Sequence, residues 1–122
     1  MIFTEEAPAA IGPYSQAIEA NGMVFVSGQL PVDPATGEFA PGGVAEQTTQ
    51  SFENIKNILA EAGLTTAHIV KTTVFLADMA LFADMNAVYA KYFDGDYPAR
   101  SAVAVKALPK GALVEVECIA VR

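Results

Sequence analysis

Arg100 and Glu115 are charged residues in segments that otherwise read as strand. Arg100 opens the run Arg100-Ser101-Ala102-Val103-Ala104-Val105. In an extended chain, alternation puts Val103 and Val105 on one face and Arg100, Ala102 and Ala104 on the other. An arginine whose face-mates are alanines stands in a shallow, uncrowded hollow, where its two-pronged guanidinium suits a carboxylate. In Val114-Glu115-Val116-Glu117-Cys118 the valines and Cys118 share one face, and Glu115 and Glu117 share the other. Two like charges on one strand face repel if buried together, so at least one must meet water or a cation. Two readings follow: ordinary solvated ion pairs between Arg100 and the glutamates, or a pocket for an organic acid. The pattern alone leaves both open.

The rest of the chemical inventory is short. His68 is the only histidine and Cys118 the only cysteine, so neither a histidine/cysteine metal cluster nor a disulfide can be drawn within the chain. His68 follows Thr65-Thr66 at a strand entrance and reads as structural or surface. With no glycine-rich phosphate motif and no lysine in a Schiff-base setting, the expectation is that no cofactor is needed. The net charge of −7, from 14 acidic and 7 basic side chains, has the wrong sign for gripping phosphates. The basic residues form no stripe, so nucleic acid is not an expected partner. No stretch is long and apolar enough for a membrane span, because Lys71, Asp78 and Asp84 interrupt the best candidate. Met1 to Glu6 lacks the basic and apolar regions of a signal peptide, so the cytoplasm is the expected compartment.

These residues need a scaffold, and 122 residues make one domain, 1–122. Tyr14 to Ala20 and Met23 to Ser27 read as strands around Asn21-Gly22, a strong hairpin signal. Leu30 to Gly43 reads as an irregular loop. From Val44 to Ala62, the residues Phe52, Ile55, Ile58, Leu59 and Ala62 make one helical stripe, which Gly63 ends. Ile69 to Ala77 reads as a buried central strand. Asp78 is the expected N-cap of a second helix carrying Leu81, Phe82, Met85, Val88, Tyr89, Tyr92 and Phe93, with Asp94-Gly95-Asp96 as its stop. Ala99 to Ala107 and Leu113 to Val121 read as closing strands. The order ββ-α-β-α-ββ predicts an α+β fold, a mixed sheet covered on one face by two helices. Its other face, in a chain 52% hydrophobic, predicts self-association.

Six segments together resemble the RidA/YjgF family. They are Ala10-Ile11-Gly12-Pro13-Tyr14-Ser15-Gln16-Ala17, Val26-Ser27-Gly28-Gln29-Leu30-Pro31, Lys71-Thr72-Thr73-Val74-Phe75-Leu76, Met85-Asn86-Ala87-Val88-Tyr89, Tyr97-Pro98-Ala99-Arg100-Ser101 and Val114-Glu115-Val116-Glu117-Cys118-Ile119-Ala120. The resemblance implies a chorismate-mutase-like subunit in a homotrimer with a central β-barrel and pockets between subunits. It implies hydrolysis of reactive enamine/imine intermediates, 2-aminoacrylate/2-iminopropanoate and 2-iminobutanoate, to 2-oxoacids and ammonia.

Carried over residue by residue, Arg100 holds the substrate carboxylate, Glu115 holds and deprotonates water, and Tyr14 closes the pocket. Ser27, Gly28 and Asn86 orient the substrate. Ala102 stands where many members carry cysteine, leaving its backbone N–H for substrate and weakening any case for thiol chemistry there. Plainer roles exist for some of these: Tyr14 as a buried aromatic, Ser27-Gly28 as a bulge, Asn86 as a loop anchor. The alternative to catalysis is a trimeric module that binds 2-oxoacids without turnover.

Overall fold

Asn21 and Gly22 both take positive φ, 52° and 74°, as a two-residue type I′ turn requires. They join strand β1 (Ala17–Ala20) to β2 (Met23–Gln29) as an antiparallel hairpin with Ala20 opposite Met23. The structure is a computed structural model and describes residues Met1–Arg122. Helix α1 (Val44–Glu61) follows, then β3 (Ile69–Leu76), α2 (Phe82–Ala90), β4 (Ala99–Ala104) and β5 (Val114–Val121). The five strands form one mixed sheet in the order β1-β2-β5-β3-β4, antiparallel throughout except for the parallel pair β3–β4. That parallel pair needs a crossover, and α2 supplies it.

Alternation decides which face is the core. Val24, Val26, Val74, Leu76, Val114, Val116, Cys118 and Ala120 are buried under the helices, with Phe52, Ile55, Ile58 and Leu59 from α1 and Met85 from α2. Both helices thus cover one face, as the apolar stripes predict. The other face leaves Ile18, Phe25, Val103 and Val121 between 37% and 44% exposed. Helix α1 stops where Gly63, at φ 77°, leaves the helical region.

Four boundaries differ from the sequence expectation by about three residues, and β2 runs two residues past Ser27 to Gln29. The first strand begins at Ala17 rather than Tyr14, and Tyr14 stays outside the sheet at 55% exposure. Asp78 caps a 3₁₀ turn (Met79–Leu81), its carboxylate accepting from Ala80 N at 2.8 Å, so α2 begins only at Phe82 and its C-cap is already Lys91. Strand β4 ends at Ala104, opposite Leu76, where its partner β3 also ends.

Two buried amides pin the irregular segments. The Asn54 side-chain N–H group donates to the carbonyls of Leu30 (3.3 Å) and Val32 (2.9 Å), tying the 30–43 loop to α1. Gln16 accepts from Thr4 N at 2.8 Å and donates to Thr4 O and Pro8 O, strapping the N-terminal residues to the start of β1. An unpartnered buried amide would be costly, so these bonds fix the path of chain that lacks secondary structure of its own.

Candidate functional site

The sheet register sorts the candidate residues into two groups. Arg100 pairs with Thr72 across the parallel β3–β4 ladder, and Thr72 is fully buried beneath the helices. Arg100 therefore leaves the sheet on its helix-covered face, at the β4 edge. Glu115 pairs with Phe75 across β3–β5, one residue out of phase with inward Val74 and Val116, so it leaves on the open face. Within the chain the cation and the carboxylate project from opposite sides of the sheet.

Arg100 meets α2. Its Cζ lies 4.6 Å from the ring centre of Tyr89 and 5.3 Å from that of Phe82. Its Nη1 donates to Asn86 Oδ1 at 2.6 Å. The ion pairs of the chain are Lys56–Glu53 and Arg122–Glu19, so no carboxylate neutralises Arg100. Of the two readings open at Arg100, the ion pair is the one the geometry removes. The remaining guanidinium donors border a hollow of about 500 Å³, walled also by Asn86, Tyr97 and Pro98. With its carbonyl oxygen occupied by Arg100, Asn86 keeps its N–H₂ group free to donate. Ala102 lies on the same face of β4, packed against the core.

The second group gathers at Gly28. Strand β2 changes register against β5 between Val26 and Gln29, so Ser27-Gly28 is a bulge. The bulge brings the Glu115 carboxylate onto the backbone of Gly28: a Cβ there would stand 2.7 Å from Glu115 Oε2 and 3.0 Å from its Cδ. Gly28 and Tyr14 both line a cavity of about 720 Å³ between the N-terminal strap and the 30–37 loop. Ser27 donates its hydroxyl hydrogen to Ser15 O at 2.6 Å, leaving its oxygen to act as an acceptor. Burial, and secondarily the charge of Glu117, push the Glu115 carboxyl above its ordinary value. A carboxylate held in this way is a stronger base than one in water.

Two residues resolve as structural. His68 Nδ1 accepts from Thr65 N at 3.0 Å and caps the short turn before β3. Cys118 is 3% exposed, and burial, with the Glu117 charge, pushes its thiol up to about 12, so it stays protonated. The sequence reading missed Phe82 and Tyr89 as neighbours of Arg100, counting them only as core. A polar Asn86 at i+4 between Phe82 and Tyr89 (i, i+7) on one helical stripe was the available signal.

The sequence model of the family described as Endoribonuclease L-PSP matches residues 4–122. A RutC family protein of Pyrococcus horikoshii is 54% identical over 120 residues, covering 98% of this chain and 95% of that one. The bovine (Bos taurus) 2-iminobutanoate/2-iminopropanoate deaminase is 52% identical over 122 residues, covering 100% of this chain and 89% of its own. The crystal structure of Escherichia coli TdcF with bound serine superposes with a TM-score of 0.95 at 49% identity, covering 100% of this chain and 98% of that one.

Proposed function

This chain belongs to the RidA/YjgF (Endoribonuclease L-PSP) family, and on that premise we propose that it is a 2-iminobutanoate/2-iminopropanoate deaminase acting as a homotrimer. The observation that carries the reading is the unpaired Arg100 guanidinium, oriented by two rings and an amide and bordering an open hollow. A cation in that state fits a small organic acid. Relatives about half identical over the whole chain carry the deaminase name, and a related structure holds serine, a small amino acid.

The proposed chemistry asks for no covalent nucleophile. Water adds to the electrophilic C=N carbon of the 2-imino acid, giving a tetrahedral amino alcohol. Its C–N bond then breaks, releasing ammonia and leaving the 2-oxoacid. Arg100 holds the substrate carboxylate through paired contacts, with Asn86 and the backbone N–H of Ala102 beside it. Glu115 takes the proton of the attacking water and returns it to the departing nitrogen. Tyr14 closes the pocket, and Ser27 and Gly28 shape the water side.

In this proposal Arg100 of one protomer works with Glu115 of another. Their projection from opposite faces of one sheet supports that reading, because a single protomer keeps them apart. The exposed apolar residues of the open face support its coverage by other copies, as in a trimer whose sheets line a central barrel. The net charge argues against nucleic acid as substrate despite the family's description. No helix is long and apolar enough to cross a membrane, and the proposed setting is cytoplasmic.

The test is direct. A threonine/serine dehydratase generates the imine, semicarbazide traps it, and the trapped signal is compared with and without this protein. Wild type lowers the signal, while Arg100→Ala and Arg100→Lys do not, since an ammonium cannot make the paired contact. Equal trapping by wild type and Arg100→Ala ends the assignment. Saturable 2-oxoacid binding without hydrolysis would identify a binding module instead.

A further inference from the structure

Arginine carries a long, rotamer-rich side chain, and one that is to capture a substrate must first be held in one orientation. A carboxylate partner would orient it but also neutralise it. The surroundings of Arg100 solve this differently. Its guanidinium lies against the Tyr89 ring at 4.6 Å and the Phe82 ring at 5.3 Å, contacts that attract a cation yet leave its N–H donors available.

The Tyr89 ring is itself fixed. It is 4% exposed, packs edge-on to Phe52 (5.4 Å, 84°) and lies 5.0 Å from Phe93. Its hydroxyl shares a 2.7 Å hydrogen bond with Thr72 Oγ1. Thr72 is the register partner of Arg100 on the adjacent strand, so anchor and cation come from neighbouring positions of one ladder. A phenylalanine would fill the same core volume without a buried hydroxyl to satisfy. The Thr72–Tyr89 pair adds orientation.

We infer that Tyr89 is a positioning residue for carboxylate capture, its ring face presenting Arg100 to the substrate while Thr72 locks the ring. The inference rests on the role proposed for Arg100 and names the groups behind it. Substrate binding then depends on the ring behind the guanidinium, which also forms part of the wall of the same hollow.

The test is steady-state kinetics on 2-iminobutanoate supplied by threonine dehydratase, with melting temperatures measured in parallel. Tyr89→Leu raises KM about tenfold and leaves kcat within about threefold, because the carboxylate grip is common to bound substrate and transition state. Tyr89→Phe keeps the ring but loses its bond to Thr72, so KM rises about threefold, short of the effect of Tyr89→Leu. In an Arg100→Ala background, Tyr89→Leu produces no further change in kcat/KM, since there is no guanidinium left to place.

A merely structural Tyr89 gives a lower Tm with KM unchanged, or losses that multiply with those of Arg100→Ala, and either result overturns the inference. If Tyr89→Leu does not fold, Thr72→Val and Phe82→Leu carry the test, each raising KM about threefold. Unchanged KM in both overturns it. Arg100→Ala separates the two levels: if its KM is that of wild type, the Arg100 reading itself is wrong. If its KM rises while that of Tyr89→Leu does not, only the role of Tyr89 falls.

Discussion

The β4 edge and the Gly28 bulge each hold one charged group, and they hold it by opposite means. Arg100 sits among aromatic rings and one amide oxygen, contacts that attract a cation and fix its direction. Glu115 lies half-buried against bare backbone, with the like-charged Glu117 on its own face, surroundings that resist its charge. The first environment suits recognition by a permanent charge. The second suits a proton acceptor, because a group made reluctant to ionise takes up a proton more readily. Placing the two on opposite sheet faces keeps them from pairing with each other within one chain.

The largest effect should come from removing the acceptor. Glu115→Gln keeps the shape of the side chain and loses the base, and kcat should fall by about a thousandfold, within the range of general acid–base catalysis. Stability should move the other way. The folded-state pKa of Glu115 is raised, so its ionised form costs stability at neutral pH, and the amide removes that cost. A variant with lower Tm and near-normal kcat would show that Glu115 is a structural carboxylate.

The next prediction concerns the separation itself. Arg100→Ala and Glu115→Gln are each expected to retain only a small, measurable residue of activity alone. Co-expressed, they form mixed assemblies in which some sites draw an intact arginine from one chain and an intact glutamate from another. With random assembly about a quarter of the sites are whole, so about a quarter of wild-type activity should return. No recovery from demonstrably mixed oligomers would mean that the two residues do not meet across a subunit boundary.

Gly28→Ala sharpens the comparison at the bulge. The new Cβ would crowd Glu115 Oε2 at 2.7 Å, and the carboxylate, as the free end of a flexible chain, must swing away. Activity should drop about tenfold, through kcat, while the melting temperature holds within about 4 °C. An equal loss at the β4 edge, read as a raised KM, would contradict the independence of the two groups.

Much of this was readable along the chain because local physics specified it. Asn21-Gly22 needs positive φ twice, Gly63 ends a helix whose stripe buries Phe52 to Leu59, and alternation assigns the faces of β4 and β5 strand by strand. Alternation does not say how one strand's faces relate to another's. That depends on the Thr72–Arg100 and Phe75–Glu115 pairings, which are set by the α2 crossover and the sheet order. The second helix starts later than its apolar stripe because Asp78 spends its capping bond on a 3₁₀ turn, and it ends at Ala90 while Tyr92 and Phe93 beyond it still pack on the core. Tyr89 was visible only as a core aromatic, since nothing local shows that its hydroxyl finds Thr72 or its face Arg100. The amides of Gln16 and Asn54 were equally silent: their partners are loop carbonyls, up to 24 positions away along the chain for Asn54.

The smallest predicted effect isolates the two causes acting on Glu115. Burial is the larger and the charge of Glu117 the smaller. With Glu115 as the base, kcat/KM should fall as pH drops through a value above the ordinary carboxylate figure of 4.5. Glu117→Gln removes the like charge, so this acid limb should move to lower pH, but only part of the way, because burial remains. The maximal rate at neutral pH should change less than about twofold, since Glu117 acts on the base only through its charge and leaves the rest of the site in place. The stability record should agree in sign. The charge of Glu117 disfavours ionised Glu115 in the folded state, a cost that vanishes once Glu115 is protonated, so Glu117→Gln should melt higher at pH 7 and match wild type under acid conditions. An acid limb that stays where it was would assign the proton transfer to a group outside the bulge and leave the Gly28 corner with a structural role alone.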